Sequence, residues 1–259
     1  MFKTIIFEKK ENVLKIILNR PEVYNAFNEE MLFELQDAFK KAAEDEEVRC
    51  IILSGSGKAF CSGQDLKDFN EKKLTFKEAL ERRYNPLIKL IAYLPKPVIC
   101  AVNGVAAGAG ISLVLACDYR IAIESAVFTE VFINIGLVPD SGSSFFLPRI
   151  AGYARAFEMC ATGDKISAVS AKEMGIVNKI VYSPSLLMKS AEITAGKFAD
   201  RPTKAIGMIK QILNKSFEKN LDEILAEESI NQDIAGNTED FREGIASFLE
   251  KRKPVFKGK

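Results

Sequence analysis

Val98-Ile-Cys-Ala-Val-Asn-Gly-Val-Ala-Ala-Gly-Ala-Gly-Ile-Ser-Leu-Val-Leu-Ala-Cys-Asp-Tyr-Arg120 reads as one structural unit. A β-branched run ends at Asn103-Gly104, a Gly/Ala-rich turn follows, and an apolar segment of helical length comes next. Strand, tight turn and helix in that order build an α/β layer structure. Small residues at the turn let a backbone approach a ligand closely, and the helix beyond offers free N–H groups and the positive end of its dipole. The stretch therefore predicts a site that stabilises negative charge without a catalytic side chain of its own. That property matters in a chain of 259 residues with no histidine.

Outward from this unit, strands and helices alternate through the first half. Thr4–Glu8 and Val13–Leu18 read as a hairpin, and Asn28 is a plausible N-cap for a helix carrying Met31, Leu32, Leu35, Ala38, Phe39 and Ala42 on one face. Val48–Leu53 reads as a strand. Phe60–Leu66 is a loop entering a helix, and residues 75–93 read as a helix that stops before Pro95 and Pro97. Tyr119–Ile123 and Val127–Val131 are expected as short strands. From Ser143 onward helices dominate, near 153–161, 167–174, 185–199, 203–216, 221–235 and 238–251, with a strand-like break at Ile176–Tyr182. The first half should be an α/β layer structure and the helical second half an appendage with no flexible linker before it.

Composition bounds the function. Lysine plus arginine number 36 against 35 for aspartate plus glutamate, and a net charge of +1 argues against nucleic-acid binding by bulk electrostatics. The five cysteines are odd in number and form no C-x-x-C pair, which fits buried reduced thiols in a cytoplasmic protein. No apolar run reaches membrane-spanning length, so no membrane partner is expected. Without histidine, Ser-His-Asp and Cys-His nucleophile arrangements are excluded, and no metal site is expected. Acid–base work must fall to carboxylates, Lys, Tyr or Cys.

Three turns at element boundaries carry the candidate chemistry: Ala59-Phe-Cys-Ser-Gly-Gln-Asp-Leu66, Asn103-Gly-Val-Ala-Ala-Gly-Ala-Gly110 and Gly136-Leu-Val-Pro-Asp-Ser-Gly142. Each also has a purely structural explanation. Ser-Gly-Gln suits a simple turn, Gly108 and Gly110 suit close helix–sheet packing, and Asp140 could cap the next helix. Gly55-Ser-Gly57-Lys58 lacks the spacing of a phosphate loop, and Gly104…Gly108-x-Gly110 lacks that of the dinucleotide fingerprint.

Together the three segments resemble the crotonase (enoyl-CoA hydratase/isomerase) superfamily. The resemblance runs from Leu18-Asn-Arg-Pro-Glu-Val-Tyr-Asn-Ala26 to Phe241-Arg-Glu-Gly-Ile-Ala-Ser-Phe-Leu-Glu-Lys-Arg-Lys-Pro254, and takes in Lys96–Gly104 and Ala161-Thr-Gly-Asp-Lys-Ile-Ser167. It implies a crotonase-like ββα spiral core, expected over residues 1–200, and a helical C-terminal region over 201–259 involved in oligomerisation. It also implies a substrate carried as a coenzyme A thioester, with no prosthetic group, and a homotrimer or dimer of trimers. By motif position the main-chain N–H groups of Gln64 and Ala109 would clasp the thioester oxygen, with Ser62, Asp65 and Leu66 beside the bound CoA ester. Phe248 and Lys251 would reach the CoA of a neighbouring subunit. Asp65 is expected to shape its loop rather than to do chemistry.

The family's hydratases use two glutamates, and the matching positions here are Ser112 and Phe132. That leaves Asp140, at a position where several isomerases of the family carry an acid. If Val138, Pro139, Phe132 and Phe145 surround its carboxyl, the pKa should rise toward neutrality. Within the family, Phe60–Leu66, Gly136–Gly142, Asp240-Phe-Arg-Glu-Gly244 and Pro254–Lys259 are similar to isomerases that act on ring-1,2-epoxyphenylacetyl-CoA in phenylacetate breakdown, which also move double bonds in enoyl-CoAs. One departure is Gly142-Ser143 in place of a family glycine pair. The expectation is an acyl-CoA isomerase with Asp140 as base. Alternatives are an enoyl-CoA hydratase of fatty-acid β-oxidation and a non-catalytic acyl-CoA-binding module. Glu130, the competing acid, is expected to be a strand-end charge facing solvent or a salt bridge.

Overall fold

The computed structural model describes residues 2–68 and 74–259. Among the described residues, ten strands form two sheets. The larger has six strands: β1 (Ile5–Lys10), β2 (Val13–Leu18), β3 (Cys50–Gly55), β5 (Val98–Val102), β7 (Tyr119–Ile123) and β10 (Lys179–Val181), in the order β1-β2-β3-β5-β7-β10. β1 and β2 are the antiparallel hairpin that the sequence predicts, and every later neighbour is parallel. β5 is buried along its whole length and β3 at all but its last residue, as continuous β-branched runs in a parallel sheet covered on both faces should be.

The second sheet holds β4 (Ala59–Cys61), β6 (Val105–Ala107), β8 (Val127–Thr129) and β9 (Ile166–Ser167), in that order. The chain passes from each of β3, β5 and β7 directly into β4, β6 and β8, so one β-then-β turn recurs and the small strands stack beside one another. Sequence reading missed most of this sheet. Its strands are at most three residues long, too short for alternation to register, and they exist only because neighbouring turns stack.

The helix Glu29–Glu44 is capped as expected: the Asn28 side chain accepts from Met31 N at 3.0 Å. Its predicted face (Met31, Leu32, Leu35, Ala38, Phe39, Ala42) is buried. The helix Pro184–Ala199 lays Leu187, Ala191 and Ala195 into the core. The helix expected over 75–93 is interrupted. Phe76–Ala79 and Asn85–Tyr93 are α-helical, and Leu80–Tyr84 between them is a π turn in which Asn85 N donates to Leu80 O. Pro86 explains the widening, because proline supplies no N–H and crowds the carbonyl one turn back. β8 also ends earlier than expected, and Val131–Ile135 turns as a 3-10 helix.

At the C-terminal end, helices span Thr203–Lys215, Leu221–Gly236 and Glu239–Leu249. The tail after them returns to the core. Arg49, itself buried, donates to Phe256 O at 2.6 Å and to Thr203 Oγ1 at 2.8 Å, and Asp240 accepts from Lys257 N and Gly258 N. Among the described residues no helix is long and apolar enough to cross a membrane. All five cysteines are free, and all but Cys160 are buried.

Candidate active site

The Asn19–Ala26 loop prepares the first wall. Asn25 is fully buried; its side chain accepts from Arg20 N and donates to Ser56 O and Ala59 O, which pins the loop against β4. The next residue pair is joined by a bridge: Phe27 N donates to Gly63 O at 2.7 Å and Asp65 N to Phe27 O at 2.9 Å. Those bonds leave the Gln64 N–H unused. Asp65 pairs with Arg20 at 3.0 Å and accepts from Lys67 N at 3.2 Å.

The second wall is the turn after β6. Gly108 takes a φ of +52° and its N–H donates to Thr129 O, so Ala109 opens the following helix, Ala109–Leu115. A first-turn amide has no carbonyl one turn back to accept it. The two walls touch: a Cβ on Gly63 would lie 2.9 Å from Ala107 O and 3.7 Å from Ala109 N, and one on Gly110 would lie 2.4 Å from Cys61 O. Glycine at both positions is thus a packing requirement that lets the Gly63 and Ala109 turns lie side by side.

The third wall carries the acid. Asp140 stands in a loop where Ser141 (φ +51°) and Gly142 (φ +87°) both adopt left-handed conformations. Gly142, not Asp140, is the N-cap of the helix Ser143–Ala151, so the capping explanation for Asp140 does not hold. Its Oδ1 accepts from Ser141 Oγ at 2.7 Å. Burial raises its pKa, against the opposing effect of the Ser141 hydroxyl.

These walls enclose a cavity of about 260 Å³ lined by residues that include Ser62, Gln64, Leu66, Ala109 and Asp140. Phe76, Leu80, Tyr84, Phe132, Ile135 and Leu137 make most of the rest apolar. Asp140 is the carboxylate among its described lining residues. The apolar surroundings of Asp140 differ from the expected set. Phe132 belongs to them, but Val138 is 78% exposed, and Phe145 lies elsewhere, stacked edge-on to Phe146 with Arg149 over its ring.

Tyr84 was not singled out in the sequence. It is buried, lines the cavity and hydrogen-bonds through its hydroxyl to Gln64 Oε1. Burial first, and the charge of Asp140 second, keep its phenol protonated, with a pKa well above the usual value. The π turn that aims it inward leaves no periodic signal to find.

Glu130 overturns its expectation. It is fully buried, not solvent-facing, and makes no salt bridge among the described residues. Burial, and secondarily the charge of Asp140, lift its pKa to about 7. Ser112 and Ser143, also fully buried, lie between the two acids. Phe248 and Lys251 are exposed at the end of the last helix and are not among the residues lining the cavity. Among the described residues no three Cys, Asp or Glu side chains are grouped to hold a metal ion.

A model of the family enoyl-CoA hydratase/isomerase matches residues 8–259. The chain is 43% identical over 263 residues to the 1,2-epoxyphenylacetyl-CoA isomerase of Escherichia coli (strain K12), covering 100% of both. It is 41% identical to the "Probable enoyl-CoA hydratase" of Rhodobacter capsulatus, over 100% of this chain and 99% of that protein. A crystal structure of an enoyl-CoA hydratase from Bacillus anthracis superposes with a TM-score of 0.93 at 34% identity, covering 99% of this chain and 100% of the other. The two-sheet architecture with its C-terminal helices is the crotonase fold of these structures.

Proposed function

This chain belongs to the enoyl-CoA hydratase/isomerase family, and on that premise we propose that it is an acyl-CoA isomerase working through a thioester enolate. One observation carries the reading: the Asp140 carboxyl shares a small apolar cavity with the Gln64 and Ala109 turns, and no second described carboxylate lines it. The Asp140 carboxylate takes a proton from the carbon next to the thioester. The C–H electron pair moves into the thioester, and the oxygen that gains charge is held by the two main-chain N–H groups. Each such donor is worth about 3–4 kcal/mol. The protonated Asp140 then returns the proton at C4, the far carbon of the original double bond, so a 3-enoyl-CoA becomes a 2-enoyl-CoA with no net gain or loss of atoms. A carboxyl raised toward neutrality by burial suits a group that must both take and return a proton.

The substrate we assign is 2-(1,2-epoxy-1,2-dihydrophenyl)acetyl-CoA, with 3-enoyl-CoAs as further substrates. Support comes from full-length similarity to the Escherichia coli isomerase and from a cavity walled by Phe76, Tyr84 and Phe132. Hydration is disfavoured because Ser112 and Phe132 stand where the family's hydratases carry glutamates.

The reading includes a core over residues 1–200, a C-terminal region over 201–259 that assembles a homotrimer or dimer of trimers, and a cytoplasmic location, which the free cysteines suit. The helix Leu221–Gly236 buries none of its residues within the chain, and Leu221, Leu225, Ile230, Ile234, Phe248 and Leu249 are exposed. Apolar faces of that kind are covered by association. In such an assembly Phe248 and Lys251 would meet the CoA of a neighbouring subunit.

The test is Asp140→Asn. Isomerisation and α-proton exchange in deuterated water should fall by about 10²–10⁴-fold while binding of a CoA ester, measured by calorimetry, persists. Near-parental turnover in that variant, or conversion of crotonyl-CoA to a 3-hydroxyacyl-CoA by the parent, overturns the reading.

A further inference from the structure

Glu130 takes no part in the chemistry above, yet it is fully buried at the bend between β8 and the 3-10 turn. Its Oε2 has no hydrogen-bond partner. Its Oε1 lies 2.8 Å from Ser143 Oγ, which lies 2.9 Å from Ser112 Oγ. Ser112 Oγ in turn lies 3.1 Å from the main-chain oxygen of Asp140 and 3.2 Å from that of Gly108.

Ser143 Oγ donates to Glu130 Oε1, and the single hydrogen of Ser112 has Ser143 Oγ and the Asp140 and Gly108 carbonyls within reach. An ionised Glu130 would bury a charged Oε2 with no partner. Burial and the facing charge of Asp140 raise the Glu130 pKa, against the opposing effect of the Ser143 hydroxyl.

We propose that Glu130 is a positioning residue for Asp140: fully buried, it anchors a Ser143–Ser112 hydrogen-bond chain that sets the Asp140 main chain against the turn bearing the Ala109 amide. The proposal rests on the reading of Asp140 as the proton carrier. Because the chain ends on a main-chain carbonyl, it delivers no proton to the Asp140 carboxyl. It holds geometry instead. The two left-handed residues after Asp140 make this a loop whose shape depends on what grips it, and the grips are Ser143 N, 3.0 Å from Asp140 O, and the Ser112 hydroxyl. Ser112 also touches Gly108, the residue before Ala109, so one hydroxyl spans the base and the oxyanion turn.

The experiment compares Glu130→Ala, Ser143→Ala and Glu130→Gln in the full chain, by steady-state isomerisation of a 3-enoyl-CoA and by thermal melting. Glu130→Ala and Ser143→Ala should each lower kcat by about 10–100-fold with KM changed less than about threefold, the pattern of a misplaced reacting group. Glutamine keeps an uncharged side-chain oxygen at the same place to accept from Ser143 and should hold kcat within about threefold of the parent. The Glu130→Ala/Ser143→Ala double variant should be no slower than the slower single, because both break one chain. If Glu130→Ala does not fold, Ser143→Ala against Glu130→Gln decides. The positioning role is overturned if Glu130→Gln is as slow as Ser143→Ala, or if Ser143→Ala keeps parental kcat and only melts earlier. Should Asp140→Asn keep parental turnover, both readings fall; if Asp140→Asn is inactive and Ser143→Ala is fully active, only the positioning role falls.

Discussion

Gly63 packs its Cα against the main-chain carbonyl of Ala107, so closely that a Cβ would come within 2.9 Å of that oxygen. Gly63 also has a φ of +96°, a conformation that side chains disfavour. Gly63→Ala must therefore push the Gln64 loop away from the Ala109 turn. The expected result is a loss of about 10²–10³-fold in kcat/KM, comparable to removing one oxyanion donor. Isomerisation kinetics of the purified variant check it.

Asp140 must be ionised to accept a proton. Burial raises its pKa above the usual 3.8, so kcat/KM should fall on the acid side with a midpoint above that value. The Ser141 hydroxyl favours the ionised form. Ser141→Ala should therefore move the acid limb to higher pH, as read from the pH profile of kcat/KM.

Glu130 links stability to pH. Its pKa is about 7 in the folded chain and near 4.5 when unfolded. Its contribution is fully present below about pH 4.5 and is lost as pH rises through about 7. Relative to Glu130→Gln, the parent should lose on the order of 3 kcal/mol of stability between these limits. Urea unfolding of both proteins at pH 5 and pH 8 measures the difference.

Asp240 holds the C-terminal tail. It is 3% exposed and accepts from Lys257 N at 2.6 Å and Gly258 N at 2.8 Å. Asp240→Ala strands two amides and should cost about 1–3 kcal/mol. Trypsin should then cut after Lys257 faster than in the parent, followed by mass spectrometry.

The legible parts of the molecule were those with local causes. Asn28 capping its helix, the buried face from Met31 to Ala42, and the apolar runs of β3 and β5 follow from spacing and composition over a few residues. The Gly63, Gly108 and Asp140 turns could be located because glycine and aspartate mark turns wherever they occur. What those turns do together had no local cause, which is why each alone was equally well explained as packing or capping.

Tertiary structure decided the rest. The short strands β4, β6 and β8 form only when successive turns stack, and Tyr84 points inward because Pro86 opens a π turn. Glu130 looked like a solvent-facing charge because alternation fails where β8 bends into a 3-10 turn, and its burial depends on Ser112 and Ser143 arriving from two other helices. Sequence by itself determined which backbone could turn and which faces must be apolar, since those depend on neighbours along the chain. Which turns meet, and which acid is buried, depends on distances between segments far apart in sequence, and only folding sets them.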